Sequence, residues 1–207
     1  MYALINQHIQ IILRSIAPDH ATEYDWLIQN VSQAGTAEYQ ANYRQYWAMN
    51  AARLSPAYCA TYFQELQAAL TNPPALRSLV GKLYKTPTQG SGKQSLQFSF
   101  ATKLLHTANC QSPIYDSFVA AFYFFQAPDS GRPLEGRITE LVAFHDFLCK
   151  EYERVLANGL LAESIQAFRS QFNPQHFTEE KIIDSLIWAY VGLLNNGGLT
   201  EGRIVFR

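Results

Sequence analysis

Apolar residues recur at helical spacing along most of this chain, and no stretch alternates apolar with polar residues as a half-buried strand would. That pattern selects an all-α fold, and the helix ends carry signals. Between Tyr2 and Ile16, positions 4, 5, 9, 12, 13 and 16 are apolar, and Pro18 closes the stretch. A helix is expected from Thr36 to Ala52. Ser55-Pro56, an N-cap followed by proline at the first helical position, opens another to about Leu70. Asn72-Pro73-Pro74 breaks the chain before a short helix from about Pro74 to Leu83. Residues 86–95, with Gly90, Gly92 and Pro87, read as a loop. Helices follow from about Phe98 to Thr107 and from Asp116 to about Phe125. Beyond a second loop at 127–133, helices are expected over 134–157 and 160–172. Thr178-Glu179-Glu180-Lys181 resembles a capping sequence and starts the last helix, which Asn196-Gly197-Gly198 ends. Arg203–Arg207 suits a short extended tail.

With 207 residues, 48% of them hydrophobic, the chain has material for one domain, with possible lobes at 1–126 and 127–207. The N-terminal helix has no basic leader or small-residue cleavage site, and no apolar run approaches a membrane span of roughly 18 residues. The three cysteines (Cys59, Cys110, Cys149) are far apart and lack CxxC spacing, as suits free thiols in a reducing compartment. The expected address is the cytoplasm. The five histidines are scattered and neither HExxH nor GxSxG occurs, so no metal site is expected. Gly92-Lys93 is followed by Gln94, which departs from the P-loop, and no nucleotide cofactor is expected.

The net charge of −1 gives the whole molecule no pull towards nucleic acid, so any such partner needs a local patch. One is visible. Between Glu65 and Asp116 there is no acidic residue, while Arg77, Lys82, Lys85, Lys93 and Lys103 all fall there. A basic loop leading into a helix N-terminus suits phosphate, because free backbone N–H groups and the helix dipole favour anions. The plainer alternative is a solvated face whose acids lie elsewhere in the fold.

The segment Phe98 to Val119 carries the most chemistry. Lys103 lies between Phe100, Leu104 and Leu105, where partial burial lowers an amine's proton affinity and frees it as a nucleophile. Asp116 precedes an apolar helix, the position of an N-cap whose backbone donors anchor a carboxylate. Together they would supply a nucleophile and an electrostatic partner; separately they are a snorkelling lysine and a plain cap. The run Phe122–Phe125 covers every face of a helix and reads as packing, as do Trp47 and Trp188, though either tryptophan could border a pocket.

This segment resembles the helix-hairpin-helix DNA glycosylases, above all a divergent bacterial group related to 8-oxoguanine DNA glycosylase. In that superfamily a hairpin of the form L-P-G-x-G-x-K leads into a helix, and a later P-x-D-[TS]-x-V segment supplies an aspartate. Ser99-Phe100-Ala101-Thr102-Lys103 is similar to the first, with small residues replacing both glycines, and Pro113–Val119 is similar to the second. No four-cysteine iron–sulfur signature follows. The resemblance covers about 22 residues and implies no cofactor. It implies a monomer that flips a damaged base out of double-stranded DNA. Lys103 would attack the sugar C1′ to form a Schiff base, with β-elimination to follow, and Asp116 would stabilise the developing positive charge. Ser99, Ala101 and Thr102 would offer backbone to a phosphate, Lys82, Lys85 and Lys93 would add sequence-independent affinity, and His106 would face the same cleft. The expected architecture is two lobes with Lys103 and Asp116 on the walls between them. The competing functions are a non-catalytic helical DNA-binding protein and a helical interaction protein with no nucleic acid.

Overall fold

The computed structural model describes residues 1–200, and among them eleven α-helices and no strand are found. The extended tail expected at Arg203–Arg207 lies outside the described residues. No helix among the described residues is long and apolar enough to cross a membrane.

The N-terminal stretch is two helices, α1 (Tyr2–Gln7) and α2 (Ile9–Ser15), separated at His8 (φ −104°, ψ 13°). The turn coincides with polar ties on Asn6, whose amide donates to Leu160 O (2.9 Å) and whose carbonyl accepts from the Ser164 hydroxyl. A helix that apolar spacing does not mark, α3 (His20–Gln29), comes next; its buried face is only Ala21, Tyr24 and Leu27. The helix α4 (Ala37–Tyr46) is capped by Thr36 and stops short of Ala52. Ala48 adopts a left-handed conformation (φ 53°), and Met49 N–H donates back to Arg44 O, a Schellman closure made without glycine. That early stop leaves Trp47 at the helix end.

The N-cap signal of the next element is realised. Ser55 Oγ accepts from Tyr58 N–H (3.0 Å) at the start of α5 (Pro56–Thr71) and donates to Pro87 O (2.6 Å), which ties the 86–95 loop to that helix. The loop closes on itself through Thr88 N–H to Lys93 O (2.9 Å). There follow α6 (Leu76–Tyr84), α7 (Phe98–Ala108) and α8 (Ser117–Phe122). The last ends before Phe125 because Phe124 turns left-handed (φ 57°) and Phe125 N–H returns to Ala120 O. Of the aromatic run, Phe122 is buried and Phe125 stacks on Phe144, while Phe124 is exposed.

The long α9 (Leu134–Ala157), α10 (Ala162–Phe172) and α11 (Glu179–Asn196) complete the fold. Thr178 caps α11, which is apolar nearly all round and is therefore the central helix. It packs against α1, α2, α8, α9 and α10, whereas α5, α6 and α7 pack on one another. α6 also packs on α9, and α1 and α2, from the start of the sequence, lie against α10 and α11 from its end.

Replacing Ser55 by alanine removes both the cap of α5 and the tie to Pro87 O. We expect a loss of about 1–2 kcal/mol in urea unfolding, largely restored by Ser55→Thr. Equal stability in Ser55→Ala would show that neither bond holds the loop.

Candidate active site

The connection between α7 and α8, Asn109–Tyr115, is irregular but heavily bonded to side chains around it. Cys110 O accepts from Thr178 Oγ1 (2.7 Å), Ser112 O from His106 Nδ1 (2.7 Å) and Pro113 O from His145 Nε2 (3.0 Å). Ile114 N–H donates to Asp184 Oδ2 (3.2 Å), and Tyr115 N–H to Thr102 Oγ1 (3.1 Å). Five elements of the backbone path are thereby fixed by residues from α7, α9 and α11 and the cap before α11. Asp116, next in line, caps α8, with Phe118 and Val119 N–H both landing on Oδ1 (2.8 and 2.9 Å). Oδ2 has no hydrogen-bond donor among the described residues.

The fold brings Lys103 and Asp116 to one cleft of about 360 Å³, within the size range of small-molecule sites. Its other walls include the end of α2, His20 of α3, Tyr46 of α4 with Trp47 just beyond it, and one face of α11. Lys103 Nζ stands 5.6 Å from the Trp47 ring centre and 5.3 Å from that of Phe100. Burial pushes its ammonium below the usual lysine range, and the Asp116 carboxylate pulls in the opposite direction. An amine so placed loses its proton more readily than a surface lysine and has a carboxylate as neighbour.

The α11 face contributes Lys181, Asp184, Ser185 and Trp188, spaced i, i+3, i+4 and i+7. Lys181 lies among the rings of Tyr24, Tyr46, Trp47 and Phe177, with Nζ 5.2–5.8 Å from their centres. Burial lowers its ammonium to about 8 against the support of Asp184 and Asp116. Asp184 receives Tyr152 O–H (2.6 Å) on Oδ1 as well as Ile114 N–H on Oδ2, and burial raises its carboxyl to about 7. No sequence motif singles out either residue; both fall within the capped helix that Thr178 opens. The available signal was a charged pair inside KIIDSLIWAYVGLL, a run too apolar to leave either charge at a surface. Trp47 and Trp188, read as packing, border the cleft.

The other expected residues are placed differently. His106 is fully buried and does not line the cleft: Nδ1 donates to Ser112 O, so Nε2 accepts from Tyr24 O–H (2.7 Å), and the ring packs edge-on to Trp47. Ala101 and Thr102 are buried in α7, and Ala101 N–H is already bonded to Gln97 O, so neither offers backbone to a phosphate. Ser99 is half-buried in the first turn, where N–H groups have no partner within the helix. The patch around the loop is smaller than its sequence suggests. Lys82 pairs with Glu65 across α5 and α6, and Arg77 with Glu135 of α9 (3.3 Å). Lys85 and Lys93 are exposed and make no ion pair among the described residues. No cluster of three metal-ligating side chains occurs among the described residues.

No family model, no curated protein and no solved structure matches the chain.

Burial lowers His20 and His106 from the usual 6.5 to about 3, and lowers His145 as well. The unfolded chain takes up these protons near 6.5, so their contribution is complete above that pH and is lost as pH falls towards 3. Asp184, raised, works the other way over part of the same range. With three imidazoles against one carboxyl, stability should fall between pH 6.5 and 5, by up to about 1.4 kcal/mol per pH unit for each uncompensated imidazole. Urea midpoints across that range check this, and His106→Gln should flatten the slope. Stability that rises on acidification would contradict the assignment.

Proposed function

We propose that the protein is a DNA N-glycosylase with abasic-site lyase chemistry, in which Lys103 is the nucleophile and Asp116 its charge partner. The observation that carries the reading is the meeting of these two side chains in one cleft, with Lys103 partly buried and Asp116 held by two backbone donors. Neutral Lys103 amine attacks C1′ as the base departs, and the positive charge that develops on the sugar faces the Asp116 carboxylate. Because the 109–115 connection is fixed at successive residues, that carboxylate is preorganised and needs little rearrangement as charge develops. Trp47 and Trp188 border a space that a planar base would enter once flipped, at an unstacking cost of about a few kcal/mol. Lys85 and Lys93 would contact backbone phosphates. The same reading makes the protein a cytoplasmic monomer acting on double-stranded DNA.

The ion pairs of Lys82 and Arg77 favour one competing reading, a helical interaction protein that holds no nucleic acid. Salt dependence separates the two. In the glycosylase reading, duplex affinity weakens steeply with salt, and the Lys85→Ala/Lys93→Ala variant loses about one unit of slope per phosphate contact removed. Absence of duplex binding at low salt would favour the interaction protein.

The chemistry itself has a direct assay. An imine is reduced by borohydride to a stable amine, so wild-type protein should become covalently linked to a duplex with one abasic site. Lys103→Ala should give no product. Asp116→Asn, which retains a good helix cap, should slow the reaction by about a hundredfold or more. Undiminished product in Lys103→Ala would move the amine elsewhere and overturn the assignment.

A further inference from the structure

The glycosylase reading gives Lys103 and Asp116 their roles and leaves the cleft's second charged pair without one. Lys181 is almost completely buried, yet its ammonium makes no hydrogen bond and no ion pair with any described residue. Asp184, one turn along the same helix, makes no ion pair with it; its two carboxylate oxygens accept from Tyr152 O–H and Ile114 N–H. What surrounds the ammonium is aromatic: Tyr24, Tyr46, Trp47 and Phe177. Rings stabilise a cation without accepting its protons along a fixed line, so the N–H groups stay free for whatever occupies the cleft. Trp47 is shared. Its ring centre lies 5.2 Å from Lys181 Nζ and 5.6 Å from Lys103 Nζ, which sets the two amines around a single indole.

Resting on the glycosylase reading, we propose that Lys181 is the general acid of this site: it protonates the group that leaves C1′ as Lys103 bonds there. On an intact nucleotide, the Lys103 nitrogen forms a bond to C1′ and the glycosidic electron pair departs with the base. Lys181 gives that base nitrogen a proton, and the neutral Lys181 amine then takes one from the new C1′–N ammonium, which restores it. At an abasic aldehyde, Lys103 adds to C1′ and its proton passes to the carbonyl oxygen. The resulting hydroxyl leaves as water with a proton from Lys181, and the iminium remains. Both sequences balance without any further reagent.

The groups facing Lys181 support this assignment. From α7 come Lys103 and His106, from the cap of α8 Asp116, from α3 His20 and Tyr24, from α4 Tyr46, and from its own helix Asp184. Asp19 and Glu23 also line the cleft from the α3 side. Burial keeps both imidazoles neutral and both phenols protonated through neutral pH. The remaining ionisable neighbours are Lys103, Asp116 and Asp184, and Lys181 holds its proton at neutral pH and releases it at about 8. A general acid works best when its proton affinity is matched to the operating pH.

The test is the rate of borohydride trapping in a single turnover, with a duplex carrying one abasic site, from roughly pH 6 to 9.5. Wild type should lose rate above about pH 8, where Lys181 gives up its proton. Lys181→Met, an apolar side chain that suits an aromatic surrounding, should slow trapping at neutral pH about a hundredfold with unchanged duplex affinity, and should show no alkaline fall. Lys181→Arg keeps the charge but does not release its proton, and should be comparably slow. Either variant trapping at the wild-type rate overturns the proposal. A wild-type profile without an alkaline fall overturns it too, whether or not the variants fold. A wild type that never traps removes the glycosylase reading, whereas a trapping wild type with indifferent variants removes only the role of Lys181.

Discussion

The carboxylate of Asp184 is the interaction on which the site depends. It sits on the largely buried helix α11, and it faces three ways at once. One oxygen takes the hydroxyl of Tyr152 from α9, the other takes the backbone of Ile114, and its charge supports Lys181. Through Ile114 it fixes the path that delivers Asp116 to the start of α8. Through Lys181 it makes a second buried cation tolerable beside Lys103. Removing one partner of such a buried pair typically costs about 3–5 kcal/mol, because the other charge is left uncompensated.

A protein gains little stability from burying two lysines and two aspartates around one cleft, since apolar residues of similar volume do as well or better. The rest of the molecule follows ordinary packing rules: amphipathic helices, capped starts, and a core of tyrosine, phenylalanine, leucine and isoleucine. The departure from those rules is concentrated where α3, α4, α7, α8 and α11 meet. Such local departures are expected at functional sites.

Much of this was legible in the sequence wherever a local signal decides the structure. Ser55-Pro56, Asp116 and Thr178 each begin a helix because a side-chain oxygen meets free N–H groups, a contact made within three residues. Ends set by backbone strain were not legible: alanine at 48 and phenylalanine at 124 take left-handed conformations that tertiary packing imposes. α3 escaped because its N-cap, Asp19, makes no side-chain cap bond and its buried face is only Ala21, Tyr24 and Leu27. The charge patch misled for a different reason. Glu65 and Glu135 are distant in sequence from the lysine and arginine they neutralise, and only the fold brings them together. Lys103 and Asp116 were visible because they flank one short connection, while Lys181 and Asp184 reach the same cleft from a helix more than sixty residues further along.

The central claim is that one amine, Lys103, becomes bonded to the sugar. Peptide mapping of the borohydride-reduced protein–DNA conjugate by mass spectrometry, after nuclease trimming, locates that bond. The account predicts the sugar remnant on the peptide containing Lys103. A remnant on the peptide of Lys181, or spread over surface lysines such as Lys85 and Lys93, would contradict it.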